Sequence, residues 1–134
     1  MAYLVNRLAE RGCITITENS GIQELVTLLA VHNVGAVVAV DDGDKPTGIV
    51  SERDIVRCLD KSDLSLSNTV VADIMSRDFI SCNLSTKSSE LMEIMTKNKI
   101  RHVPILDKDR LLGMVAIGDV VSRLIVFMPK KMNS

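Results

Sequence analysis

Apolar positions along the chain fall into two rhythms, helical and strand-like, that follow one another twice. Over residues 2–11, Leu4, Val5, Leu8 and Ala9 recur at helical spacing, with Asn6, Arg7, Glu10 and Arg11 between them. This predicts an amphipathic helix. CITIT at 13–17 alternates as a short strand does. Ile22, Leu25, Val26, Leu28 and Leu29 then repeat with a helical period over 22–33, where Asn19 or Ser20 is the expected N-cap. GAVVAV at 35–40 is a continuous Val-rich run, the pattern of a buried strand. DDGDKPTG at 41–48 reads as a turn, GIVS at 48–51 as the partner strand, and ERDIVRCLD at 52–60 as a closing helix.

The same order returns in the second half: FISC at 79–82, SSELMEIMTKNK at 88–99, HVPIL at 102–106, LLGMVAI at 111–117 and GDVVSRLIVFM at 118–128. Between the halves, residues 61–69 are polar and Ser-rich and lead into a short apolar element. Pro104 stands inside HVPIL and removes one ladder donor, which predicts an edge position or an interrupted pairing. PKKMNS at the C-terminus is expected to fray.

The two series align residue by residue. An offset of 66 pairs Glu24 with Glu90, Leu25 with Leu91, Leu28 with Ile94, Val37 with Val103 and Asp41 with Asp107. Beyond Asp41 the offset falls to 65, pairing Gly48 with Gly113 and Asp54 with Asp119, so GIVSERD at 48–54 answers GMVAIGD at 113–119. The slip of one residue belongs in the turn, where extra length costs little closure entropy. Two copies with so long a period imply paired subdomains rather than a solenoid. Each half is expected to complete the core of the other. The division read from the sequence is 1–64, 65–128 and a tail at 129–134, in an α+β fold.

Composition narrows the classes. With 134 residues and 46% hydrophobic content, the chain is one globular domain's worth. It has no Trp, one Tyr and two Phe, so the core must be aliphatic and stacking platforms for single-stranded nucleic acid are missing. A net charge of −1 gives no broad attraction to DNA or anionic membranes. The polar interruptions of the first helix argue against a membrane span or signal peptide. Cys13, Cys58 and Cys82 form no CxxC pair and read as idle thiols in a reducing cytoplasm. With His32 and His102 as the sole histidines, no metal site is expected. Asp41, Asp42 and Asp44 depart from calcium-loop spacing and read as an acidic turn. Phosphate-loop and dinucleotide glycine patterns are absent.

The candidate chemistry lies where a strand ending in Ser51 runs into a helix containing Asp54. A hydroxyl and a carboxylate three residues apart at a helix start can cap that helix and do nothing more. The same pair, facing a cleft, can accept and donate hydrogen bonds to a vicinal diol such as that of ribose. Both readings remain open on this segment alone.

The doubled strand-helix-strand-strand-helix order, with GIVSERD, VADIM, IRHVPIL and GMVAIGD in register, resembles a cystathionine-β-synthase (CBS) domain pair, or Bateman module, over roughly residues 8–128. That resemblance implies tandem CBS repeats packed with pseudo-two-fold symmetry, and a regulatory module without catalytic activity. It implies an adenosine-containing ligand (AMP, ADP, ATP or NAD), a homodimer and an effector protein as partner. By the same resemblance Ser51 and Asp54 would hold a ribose. Ile49, and Met114 at its place in the second copy, would pack on adenine, with the backbone near Phe79 and Ile80 reading its edge. Arg101 and His102, and Arg53 beside the first motif, would meet phosphate. Asp119 would serve the second copy, weakened because Ala116 replaces the serine. The alternative is a structural dimerisation module that binds no nucleotide. A catalytic role for His102 lacks a nucleophile or base to work with.

Overall fold

The computed structural model describes residues 3–61 and 66–126, the side chains of residue 3 and residues 123–126 excepted. The elements run α1 (Tyr3–Arg11), β1 (Thr15–Thr17), α2 (Ile22–His32), β2 (Ala36–Val40), β3 (Pro46–Ser51) and α3 (Glu52–Asp60). After a 3-10 turn at Leu66–Asn68 come α4 (Val71–Ile74), α5 (Ser88–Asn98), β4 (His102–Asp107), β5 (Arg110–Ala116) and α6 (Ile117–Val126). The mixed α+β repeat expected from the sequence is present. The tail at 129–134 and residues 127–128 lie outside the described residues.

β1, β2 and β3 form one sheet, with β1 parallel and β3 antiparallel to the central β2; β4 and β5 form a second sheet of two strands. All five residues of β2 are buried, as its unbroken Val-rich run requires. The repeat persists in the hydrogen bonds. The Glu52 N–H donates to Gly35 O at 2.9 Å, and the Ile117 N–H to Arg101 O at 2.8 Å, the corresponding pair. α2 and α5 each end on a left-handed residue, Asn33 (φ 52°) and Lys99 (φ 55°). The following N–H reaches back to Leu29 O and to Met95 O, both at 3.1 Å.

Several elements differ from their sequence reading. α2 is capped by neither Asn19 nor Ser20: Gly21 takes the N-cap position with no side-chain bond, and Ser20 Oγ pairs with Thr17 Oγ1 at 2.6 Å. β3 starts at Pro46, so the turn is shorter than DDGDKPTG; Pro46 sits at a register shift beside Val40, where its missing N–H breaks no regular ladder. FISC is not a strand. Only Cys82 pairs, in a parallel bridge with Ile105, through Cys82 N–H to Pro104 O and Leu106 N–H to Cys82 O, each 2.9 Å. In the first repeat the corresponding residues, Ile16 and Ala39, sit in a full parallel ladder. Pro104 occupies the place of Val38 and has no N–H with which to extend it.

The described residues form two compact units: 13–61 and 66–79 with 108–111, and 3–12, 80–107 and 112–126. They do not follow the sequence division at 64/65. In the first, Ile16, Leu25, Leu29, Val37, Ala39 and Val50 share a core with Val71 and Met75, from α4 and the residue after it. In the second, Leu91, Met95, Val103, Ile105, Val115 and Val120 share a core with Val5 and Leu8 of α1. The offset of 66 carries Val5 onto Val71 and Leu8 onto Ile74, so α1 and α4 are themselves counterparts. Each short helix closes the core of the repeat it does not introduce. In this sense each half of the sequence completes the other's core.

Candidate functional site

Strand alternation sets the first site. Gly48 and Val50 of β3 are buried, which turns Ile49 and Ser51 to the opposite face. Ile49 exchanges backbone bonds with Ser76, N to O at 3.0 Å and O to N at 2.9 Å. That close approach requires Gly48, where an added Cβ would lie 2.7 Å from Met75 Sδ and 3.0 Å from Ser76 O. At the strand end Ser51 caps α3. Asp54 Oδ2 accepts from the Ser51 N–H at 2.8 Å and from Ser51 Oγ at 3.0 Å, while the Asp54 N–H donates to Ser51 Oγ at 3.4 Å. The capping alternative is thus realised. Both side chains are half-buried, and with two donors gathered on Oδ2 the Asp54 carboxylate keeps Oδ1 for another donor.

In the second repeat the Ala116 N–H donates to Asp119 Oδ2 at 2.9 Å, with no hydroxyl to add a second bond. The same backbone duty falls to Asp73, which accepts from the Val70 N–H at 2.9 Å, and to Glu90, which accepts from the Lys87 N–H at 3.1 Å. A carboxylate three residues past the cap therefore starts α3, α4, α5 and α6 alike. Two additions set the motif aspartates apart. Asp54 has the Ser51 hydroxyl, and Asp119 Oδ1 lies 3.6 Å from the Arg11 guanidinium.

The fold recurs in known proteins. The chain matches the CBS domain family twice, over residues 5–61 and 71–126. The chain is a pair of CBS domains. It is 35% identical over 121 residues to the mitochondrial CBS domain-containing protein CBSX3 of Arabidopsis thaliana, covering 87% of this chain and 59% of that protein, so it spans about three fifths of that relative. The crystal structure of the CBS-domain containing protein ATU1752 from Agrobacterium tumefaciens superposes with a TM-score of 0.81 at 32% identity, over 90% of each chain. The CBS domain pair of protein MJ0100, solved in complex with 5′-methylthioadenosine and S-adenosyl-L-methionine, gives a TM-score of 0.76 at 27% identity, covering 89% of this chain and 94% of that one.

Within this CBS pair the residues singled out from the sequence divide between the units. Ile49, Ser51, Arg53, Asp54 and Phe79 belong to one, and Ile80, Arg101, His102, Met114 and Asp119 to the other. Ile49, Ser51 and Asp54 are brought together on the β3–α3 junction, with Arg53 exposed beside them; Phe79 follows three residues after Ser76 and is half-buried. Met114 and Ala116 share the face of β5 that Val115 does not. Arg101 is exposed and gives its carbonyl to the start of α6, while His102 opens β4 half-buried and partnered. A surface hollow of about 370 Å³ on α2, lined by Gln23, Glu24, Thr27, Leu28 and Val31, includes none of these residues.

Two participants escaped the sequence reading: Arg11, and the Met75–Ser76 backbone against β3. Carried backward, the repeat offset pairs Arg11 with Arg77, a signal that lay outside the motif windows. Among the described residues, no group of three or more His, Cys, Asp or Glu could hold a metal ion, and no helix is long and apolar enough to cross a membrane. The cysteines are free, Cys58 and Cys82 buried and Cys13 partly so. Burial pushes the Cys13 and Cys82 thiols up from 9.0 to about 11. Asp41 Oδ1 accepts from the Gly43 and Lys45 N–H groups at 2.9 and 3.0 Å, an ordinary acidic turn.

Proposed function

We propose that this CBS pair is a regulatory module that binds an adenosine-containing ligand, AMP, ADP, ATP or NAD, and conveys its occupancy to a partner protein without catalysing a reaction. The observation that carries this reading is the Ser51–Asp54 pair. It offers one hydroxyl and one carboxylate with an oxygen to spare, on the same junction as the apolar Ile49. A ribose diol can donate to Asp54 Oδ1 and to Ser51 Oγ, while adenine covers Ile49 and meets the backbone about Phe79. Arg53, exposed beside the motif, offers a forked donor set to phosphate, and Arg101 and His102 are the basic groups offered by the other unit. Met114 and Asp119 form the weaker second copy. The adenosine-type ligands bound by the CBS pair of protein MJ0100 support the choice of ligand class.

Binding changes the arrangement of the protein only through different affinity for its alternative arrangements. The chain acts in the cytoplasm as a homodimer, and Val31 and Val56, exposed at 72% and 64% on the neighbouring helices α2 and α3, supply apolar surface for that association. The rival is a structural dimerisation module, favoured by the completeness of the Ser51–Asp54 cap.

A thermal-shift screen of AMP, ADP, ATP, NAD and S-adenosylmethionine on wild type and Asp54→Ala separates the two. A ligand at a hundred times its Kd stabilises by about 2.7 kcal/mol, a shift of several degrees. A shift that Asp54→Ala abolishes supports the sensor. Indifference to every ligand leaves the structural module.

A further inference from the structure

We propose that Arg11 is a built-in competitor for the second ligand site, weakening the Asp119 copy by occupying its carboxylate until ligand displaces it. The inference rests on the nucleotide reading above and adds a reason, beyond the missing hydroxyl, for the two copies to differ. A diol arriving at the second copy needs the Asp119 oxygen that the chain has not already used. Oδ2 is committed to the Ala116 N–H, and Oδ1 is the oxygen that faces the Arg11 guanidinium at 3.6 Å.

The two repeats differ here in a paired way. Where the first has Ser51, the carboxylate gathers its own hydroxyl, and Arg77, the counterpart of Arg11, is exposed and forms no ion pair with Asp54. Where the second has Ala116, the guanidinium places a positive charge beside the other carboxylate oxygen, from outside the motif. Arg11 is placed for this by the chain. It is the last residue of α1, whose Val5 and Leu8 are buried in the same core as Val115 and Val120 of the second repeat. Gly12 then turns away at φ 78°, its N–H returning to Ala9 O at 3.2 Å. The Arg11 side chain is 62% exposed and that of Asp119 24%, so the pair can open at little cost. Occupation of the second copy releases Arg11 from the motif. The freed guanidinium then lies in solvent, and the end of α1 loses a tether.

Calorimetric titration of AMP into wild type, Arg11→Gln, Asp54→Ala and the Arg11→Gln/Asp54→Ala double variant tests this, because Asp54→Ala leaves the second copy to be read alone. Removing the guanidinium in that background is expected to tighten AMP about two- to fivefold, the range an exposed ion pair allows. Arg11→Lys made in the Asp54→Ala background, which keeps the charge, is expected to leave the weak event as it is in Asp54→Ala alone. Affinity in the double variant that is unchanged or weaker overturns the competitor, weaker binding marking Arg11 as a ligand contact. If wild type binds AMP and neither Asp54→Ala nor the double variant does, the second copy is no site and the proposal fails while the first-site reading stands. If wild type binds none of the adenosine ligands, the nucleotide reading fails and takes this proposal with it.

Discussion

Asp54 and Asp119 do identical work for the backbone, so any difference between them as ligand contacts rests on what else touches the carboxylate. Ser51→Ala is expected to weaken the tighter binding event about two- to tenfold, the worth of one net hydrogen bond of about 0.5–1.5 kcal/mol. Asp54→Ala is expected to cost more affinity than Asp119→Ala in the same titration. A purely conformational residue is Lys99, which ends α5 at φ 55°. A non-glycine residue there carries roughly 1–2 kcal/mol of steric cost, offset in part by the extra chain entropy that glycine brings. Lys99→Gly is expected to raise the urea midpoint by up to about 1 kcal/mol of stability. The motif residues were legible because their spacing encodes a local cap. Arg11 was not, because its partner lies in the other repeat of the sequence and no local period connects them.

At the level of elements, the prediction concerns the paired glycines. A Cβ at Gly48 meets Met75 Sδ at 2.7 Å and the Ser76 carbonyl at 3.0 Å, whereas one at Gly113 meets the Leu8 carbonyl at 3.1 Å and Ala9 Cα at 3.4 Å. Gly48→Ala is expected to destabilise by about 1–3 kcal/mol, and Gly113→Ala by less, in denaturant melts of the two variants. Helix and strand periods marked nearly every element, since burial on one face leaves that imprint. FISC misled because an apolar run signals burial without saying whether a neighbouring strand can pair with it. Pro104 held the answer: at the position of Val38 it withholds the donor a parallel ladder would use. The N-cap of α2 misled for a related reason, since Ser20 spends its hydroxyl on Thr17.

For the whole molecule, α1 and α4 matter as core pieces. Val5 and Val71 are both fully buried, and replacing either by Ala is expected to cost about 1–3 kcal/mol in thermal or urea melts. The cysteines predict the alkaline limit. Their neutral thiols are favoured in the folded chain, so the stability they contribute is complete below pH 9.0 and is lost as pH rises toward about 11. The melting temperature is expected to fall across that window, and a Cys13→Ala/Cys82→Ala variant to flatten the fall. The repeat itself was plain from the offset, but the exchange of the short helices was not. Aligning two copies shows which residues correspond without showing which copy each one packs in.

That exchange bears on how the chain is made. Synthesis proceeds from the N-terminus, so α1 emerges well before the residues that bury it, Leu91 to Val120. Asn6 meets the Leu84 carbonyl across 78 positions of chain. The opening helix must wait with Val5 and Leu8 uncovered while the unit built from residues 13–79 has all its core in hand much sooner. Closing so long a loop costs chain entropy that local contacts do not. A nascent chain therefore carries α1 as an unsatisfied apolar helix while the intervening residues are made, the stage at which a chaperone or a premature neighbour would find it.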